Sequence, residues 1–334
     1  MFPPIPEFEN VDRDMFENTI VPAGRPAVLR NLVADWPMVS MGTKALSDHL
    51  RAAANNEPTI VWNGGADIKG RFSYSEDLKG FNHVQENIPL SALLDRMAAH
   101  HDDADPPSFY AGGVLLEKHL PRLLAETPMP LLPATGRRRV SLWLGNRART
   151  PAHWDAPQNL ACVVAGRRRF TLLPMDQIAN LYIGPVDFTL SGQPISLVDF
   201  RTPDLDRHPR FAEAMKHAEE AELRPGDVLY MPSFWFHHVE SLDPFGAMVN
   251  FWWRDAPEYM APPIFSILFG LLTLRDMNHR ERQAWRAIFD HYLFRPDDVD
   301  PMEHIPQDAR GVFAPMTPAI RKRLKEVLAR PLSG

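Results

Sequence analysis

The chain has 334 residues, 45% of them apolar and 23% charged, enough for one large domain with a smaller accessory piece. A formal charge of −6 argues against a general nucleic-acid binder, and no basic helix suggests a membrane surface. A single cysteine, Cys162, excludes an internal disulfide framework and any cysteine-based zinc finger, while 33 prolines point to many turns rather than a helical bundle.

The first residues, MFPPIPEFENVDRD, hold neither a basic nor an apolar leader segment, so no signal peptide is expected. PAVLRNLV (26–33) and PTIVWNG (58–64) read as strands, TKALSDHLRAAA (43–54) and PLSALLDRMAAHH (89–101) as amphipathic helices. From Val140 to Trp253 the pattern turns β-rich: VSLWLG, NLACVVAG, RRRFTLLP, DVLYMP and AMVNFWW are short apolar runs punctuated by Gly and Pro. A helix is expected within that stretch over HPRFAEAMKHAEEAEL (208–223), with Pro209 in its first turn. After Pro257 the character changes, and 262–292 and 317–330 read as helices. The most apolar run, Ile264 to Leu274, is 11 residues, short of the roughly 20 that cross a membrane. The expected organisation is a mainly β core with a mixed N-terminal portion over 1–256, followed by a helical segment over 257–334. A cytoplasmic protein is expected.

The chemistry gathers in TPAHWDAPQN. In a strand, residues two apart share a face, so His153 and Asp155 can present an imidazole and a carboxylate to one ion while Trp154 faces away. A third ligand is offered by PGDVLYMPSFWFHHVES, where a turn and a strand lead to His237. Two histidines and a carboxylate on one face of an octahedron leave three positions free and suit iron(II) oxygen chemistry. The same His-x-Asp spacing recurs at His100/Asp102 and His101/Asp103, but in an acidic run at a helix end that reads as solvated surface.

The stretches TPAHWDAPQN, GRRRFTLLP, PGDVLYMPSFWFHHVE and VNFWW together resemble the JmjC, cupin-like oxygenases that use iron(II) and 2-oxoglutarate, with the nearest likeness to the asparaginyl hydroxylase that inhibits hypoxia-inducible factor. The likeness is firm over about 105–255. It implies a double-stranded β-helix (jelly-roll) core with helical additions, and iron held by His153, Asp155 and His237. His237 rather than His238 matches the motif that begins at Pro232, which turns His238 to the other side. The family carries a lysine for the co-substrate's distal carboxylate where this chain has Arg168. By alternation Arg168 shares a face with Phe170 and Leu172, so it points inward while Arg167 and Arg169 face out. An inward guanidinium needs an anion, either 2-oxoglutarate or an internal carboxylate. Thr150 and Tyr110 resemble the hydroxyl contacts to that carboxylate, Asn159 and Asn250 the amide contacts near the metal, and Trp252 a pocket wall.

The resemblance implies a hydroxylase acting on a protein or peptide side chain. N-demethylation by the same machinery, a small-molecule substrate, a non-catalytic binding module and a zinc hydrolase are the alternatives. Neither nucleic acid nor membrane is an expected partner. The apolar residues between Pro263 and Leu274 surround their helix nearly completely and the following helix adds Trp285, Ile288, Phe289, Tyr292, Leu293 and Phe294, which suggests a two-fold dimer through 262–294, against the alternative that residues 1–100 wrap over the same surface.

Overall fold

The computed structural model describes residues 2–133 and 136–329, in two compact units, 1–256 and 257–334. The first unit holds thirteen strands among the described residues: β1 (Glu7–Phe8), β2 (Ala27–Leu29), β3 (Thr59–Gly64), β4 (Val84–Ile88), β5 (Ser108–Leu115), β6 (Arg138–Gly145), β7 (Arg149–Trp154), β8 (Gln158–Ala165), β9 (Arg168–Leu173), β10 (Glu219–Leu223), β11 (Val228–Met231), β12 (Phe236–Ser241) and β13 (Gly246–Trp253). They form a nine-stranded sheet in the order β1-β2-β11-β8-β13-β6-β5-β3-β4 and a four-stranded sheet in the order β10-β9-β12-β7. The fold is a jelly-roll core with helical additions.

The strands of the large sheet read as unbroken apolar runs because both of their faces are covered. Along β8, Leu160, Cys162 and Val164 enter one core cluster while Ala161 and Val163 enter a second. β11 divides likewise, Val228 and Tyr230 to the first cluster, Leu229 and Met231 to the second. The first cluster also takes Leu46, Leu50, Leu93, Leu94 and Met97 from the helices Thr43–Ala53 and Leu90–Ala99. The second joins Phe170, Leu172 and Val239 of the small sheet to Ala161, Val163 and Met248 of the large one, so it is the interior of the sandwich.

Three expectations are corrected. The strand expected over 26–33 shrinks to Ala27–Leu29, where Asn31 turns the chain with a φ of 58°. The helix expected over 208–223 is α-helical only at Phe211–Ala214, with a 3-10 turn at Met215–His217, and Glu219–Leu223 is the edge strand β10. Pairing of Ala221 with Phe170 and burial of Ala221 and Leu223 outweigh the helix preference of AEEAEL. Asp155 lies just beyond β7, which ends at Trp154.

β7 and β12 are hydrogen-bonded neighbours with His153 opposite His237, but the register slips by one residue before Val239 meets Thr150. The extra residue lies on β7, at Pro151–Ala152, forming a β-bulge at the one place in the strand where the chain lacks a backbone donor.

In the second unit, Ile264–Thr273, His279–Tyr292 and Pro318–Ala329 are helices; Arg330, the end of the expected last helix, lies outside the described residues. Asn278 and Glu281 close a capping box on the middle helix. No helix among the described residues is long and apolar enough to cross a membrane.

Candidate metal centre

One nitrogen each from His153 and His237 and one oxygen from Asp155 lie within 4.8 Å of one another, the ring centroids of the two histidines 4.2 Å apart. Each ring is oriented from behind. Nδ1 of His153 donates to the Pro151 carbonyl at 2.9 Å and Nδ1 of His237 to the Trp235 carbonyl at 3.1 Å, which leaves both Nε2 lone pairs for the ion. Nε2 of His237 is 3.6 Å from Asp155 Oδ2. Burial, with the neighbouring His153, holds His237 well below its usual pKa and therefore neutral, the form that binds metal. Burial also raises the Asp155 carboxyl, against the pull of His153 and Arg139. The Asp155 carboxylate beside a neutral His237 is short of a cation, which a divalent ion would supply. The donor set fits an ion that keeps open positions, iron(II) among them. His238 faces away, its ring 4.8 Å from Phe200 and its Nε2 3.9 Å from a Glu240 carboxylate oxygen.

The cavity beside the triad is walled by both sheets and lined by Tyr110, Thr150, Asn159, Arg168, Asn250 and Trp252, every site residue expected from the sequence. Arg168 is 1% exposed, no carboxylate comes within 4 Å of it among the described residues, and its Nε meets no acceptor. One Nη donates to the Trp143 carbonyl at 3.3 Å. Burial lowers its pKa while Tyr110 pulls it back. Burial raises the Tyr110 phenol, opposed by Arg168 and by hydrogen bonds with Thr150 and Arg168. By contrast, Arg167 pairs with Asp243 at 2.9 Å and Arg169 with Glu222 at 3.6 Å on the outer side. An uncompensated buried guanidinium costs several kcal/mol, so an anion of the right length belongs in this end of the cavity.

The turn that launches Arg168 depends on Gly166, at φ 67°, where a Cβ would stand 2.4 Å from the Phe245 carbonyl oxygen. The two asparagines form a chain: Asn250 donates to Asn159 at 3.3 Å and accepts from the Trp143 indole at 2.7 Å. Trp143, Met231 and Met248 line the cavity too and were not singled out from sequence. Trp143 was legible in principle, since it pairs with Met248, two residues from Asn250 along β13.

A family model described as "Cupin-like domain" matches residues 13–259. Among curated proteins, the chain is 29% identical to Lysine-specific demethylase JMJ31 of Arabidopsis thaliana over 78% of this chain and 52% of that protein. It is 26% identical to tRNA wybutosine-synthesizing protein 5 of Danio rerio, over 76% of each, and 35% identical to human HSPB1-associated protein 1 over 71% of this chain and 49% of that protein. The chain thus spans about half the length of the demethylase and of the HSPB1-associated protein. With the match covering every strand of both sheets but β1, and all three ligand candidates, the chain belongs to the cupin-like, JmjC-type oxygenase family.

Proposed function

We propose that the protein is an iron(II)- and 2-oxoglutarate-dependent hydroxylase of a protein or peptide side chain in the cytoplasm. The observation that carries this reading is Arg168, a buried guanidinium without a carboxylate partner in the same cavity as the triad. Iron with 2-oxoglutarate, when bound, would supply with O₂ an oxidant for a substrate C–H bond, one oxygen atom leaving in succinate beside CO₂ and the other in the hydroxylated product. His153, Asp155 and His237 would hold the ion, their rings fixed from behind by backbone carbonyls. Arg168 would take the distal carboxylate, assisted by the hydroxyls of Tyr110 and Thr150. Asn159 and Asn250 would present amides at the metal end, and Trp143 and Trp252 keep water from the reacting centre. The cavity offers no spare carboxylate or histidine among its described lining residues, which counts against a hydrolase needing a general base.

Adding 2-oxoglutarate anaerobically to the iron(II)-loaded chain should produce a visible charge-transfer band, followed by succinate on admitting O₂. The band should vanish in His153→Ala, Asp155→Ala and His237→Ala and persist in His238→Ala. No band in the parent sinks the proposal, and a band without succinate leaves a binding module.

We propose in addition a homodimer through residues 262–294. Phe265 is 57%, Leu272 68% and Phe294 75% exposed, a set of large apolar side chains that a second copy would cover.

A further inference from the structure

We infer that Ser241 is a positioning residue of the anion seat: its hydroxyl accepts a hydrogen bond from the Arg168 guanidinium and fixes where that group meets the distal carboxylate of 2-oxoglutarate. The inference rests on the oxygenase reading above and adds a residue to it. Ser241 ends β12, and its register partner on β9 is Arg168. Residues directly opposite one another on neighbouring strands share a face of the sheet. That face is the inner one, because His237 and Val239 of β12 line the cavity, as do Arg168 and Phe170 of β9. Ser241 is 3% exposed, and its Oγ has no hydrogen-bond partner among the described residues. Gly246, which opens β13, locates the hydroxyl: a Cβ at this glycine would stand 3.5 Å from Ser241 Oγ and 3.7 Å from an Arg168 Nη. Both polar atoms therefore flank one spot that carries no side chain, at the Arg168 end of the cavity.

A buried hydroxyl without a partner has given up its bonds to water for nothing. Among the described residues one other buried serine shares this condition, Ser141, and it stands on the large sheet opposite Asn250. Ser108 and Ser196, equally buried, are bonded within the fold. What sets Ser241 apart is the orphan across from it. Arg168 Nε is a donor without an acceptor, and a serine hydroxyl can accept. The guanidinium is lightly held, with one Nη on the Trp143 carbonyl at 3.3 Å. A carboxylate that takes two of its N–H groups bidentately re-aims it and turns a remaining N–H to Ser241. The Trp143 carbonyl and the Tyr110 phenol, which reach Arg168 already, are uncharged, and so is Ser241. Neutral acceptors steady a guanidinium without cancelling the charge that draws the anion, whereas an Asp or Glu opposite Arg168 would do both.

The test is a calorimetric titration of the full chain loaded with manganese(II), which binds without turnover. The two ligands are 2-oxoglutarate and oxalate, which chelates an ion but has no distal carboxylate. Ser241→Ala should weaken 2-oxoglutarate about tenfold or more, the scale of a hydrogen bond to a charged group, and leave oxalate unchanged. Ser241→Thr and Ser241→Val differ by the hydroxyl at nearly one shape, so the Thr variant should bind 2-oxoglutarate more tightly than the Val variant. Unchanged 2-oxoglutarate binding in Ser241→Ala overturns the inference. So does an equal loss for both ligands, the mark of general damage to the fold, or equal 2-oxoglutarate binding by the Thr and Val variants. Should the Ser241 variants not fold, Gly246→Ala decides. The backbone of Gly246 is not left-handed, so a methyl group is tolerated there, and beside the two polar atoms it should weaken 2-oxoglutarate while sparing oxalate. An unchanged ratio of the two affinities in that variant overturns the inference. A parent that binds no 2-oxoglutarate sinks the oxygenase reading itself, whereas a parent that binds it and a Ser241→Ala that binds it equally sink only the role of Ser241.

Discussion

Arg168 makes opposite demands on the protein with and without its anion. Arg168→Ala should weaken 2-oxoglutarate by about 1.5–3 kcal/mol in a binding titration, while Arg167→Ala and Arg169→Ala, whose side chains are ion-paired outside, should change it little. Equal losses at all three would mean a diffuse field and no specific seat. Without 2-oxoglutarate the order reverses: Arg168→Met should melt no lower than the parent, because it removes a buried charge that no carboxylate balances. His83 gives the pH signature of the same unit. It is packed against Trp62, Phe72 and Phe81 with Nε2 lacking a partner among the described residues, and burial lowers its pKa from 6.5 to about 4. The unfolded chain then takes up a proton that the folded chain refuses, so stability present above pH 6.5 is lost as pH falls toward 4. His238 acts in the same direction. His83→Leu should therefore flatten the loss of stability between about pH 7 and pH 5 in urea titrations; an unchanged slope would show that the ring is protonated freely in the fold. Residue identity made much of this site legible: three arginines in a row can alternate only one way. What alternation could not show was Thr150, three residues from His153 and yet on the same cavity.

At the scale of elements, the turn between β8 and β9 sets where Arg168 emerges. Gly166→Ala combines a left-handed backbone with a Cβ driven against the Phe245 carbonyl. It should cost about 1–3 kcal/mol, or roughly 2–12 °C in melting temperature for a unit this size, and should weaken 2-oxoglutarate as well. A variant that melts like the parent would mean that the turn re-forms at no expense. The strands of the two sheets were readable because near-continuous apolar runs bounded by Gly and Pro have few other uses. β10 was not, since AEEAEL has the composition of a helix. Its conformation is decided by Phe170 and Arg169 on the neighbouring strand, across which Ala221 and Glu222 pair.

For the whole molecule, the second unit exposes a set of large apolar side chains, Phe265, Leu272, Leu293 and Phe294 among them, that the proposed dimer would cover. Light scattering should give twice the chain mass, and Leu268→Arg or Leu272→Arg should return it to one. A monomeric parent removes the dimer, and a dimer indifferent to both substitutions places the interface elsewhere. The sequence carried this expectation directly, because a helix apolar on nearly every side, as between Pro263 and Leu274, requires a cover and the hydropathy pattern shows it without any motif. The identity of the substrate was never so encoded: it depends on what the mouth of the cavity lined by Trp252 accepts, and that is a property of juxtaposed strands.

The slipped register between β7 and β12 has a consequence for changes of length as distinct from changes of side chain. Thr150 and His153 are separated by an odd number of positions and share a face solely because the strand holds one supernumerary residue. Removing Ala152 makes the separation even and the ladder regular, so both side chains keep their direction. Inserting one residue after Trp154 lengthens the step from His153, on the strand, to Asp155, just past its end, and moves the carboxylate away from the two histidines. The shortened chain should therefore retain iron(II) binding in a calorimetric titration within about tenfold, while the lengthened one loses it. Strand parity, invisible to substitution scanning, would then be shown to govern the metal centre; loss in both variants would instead assign the bulge itself to the site.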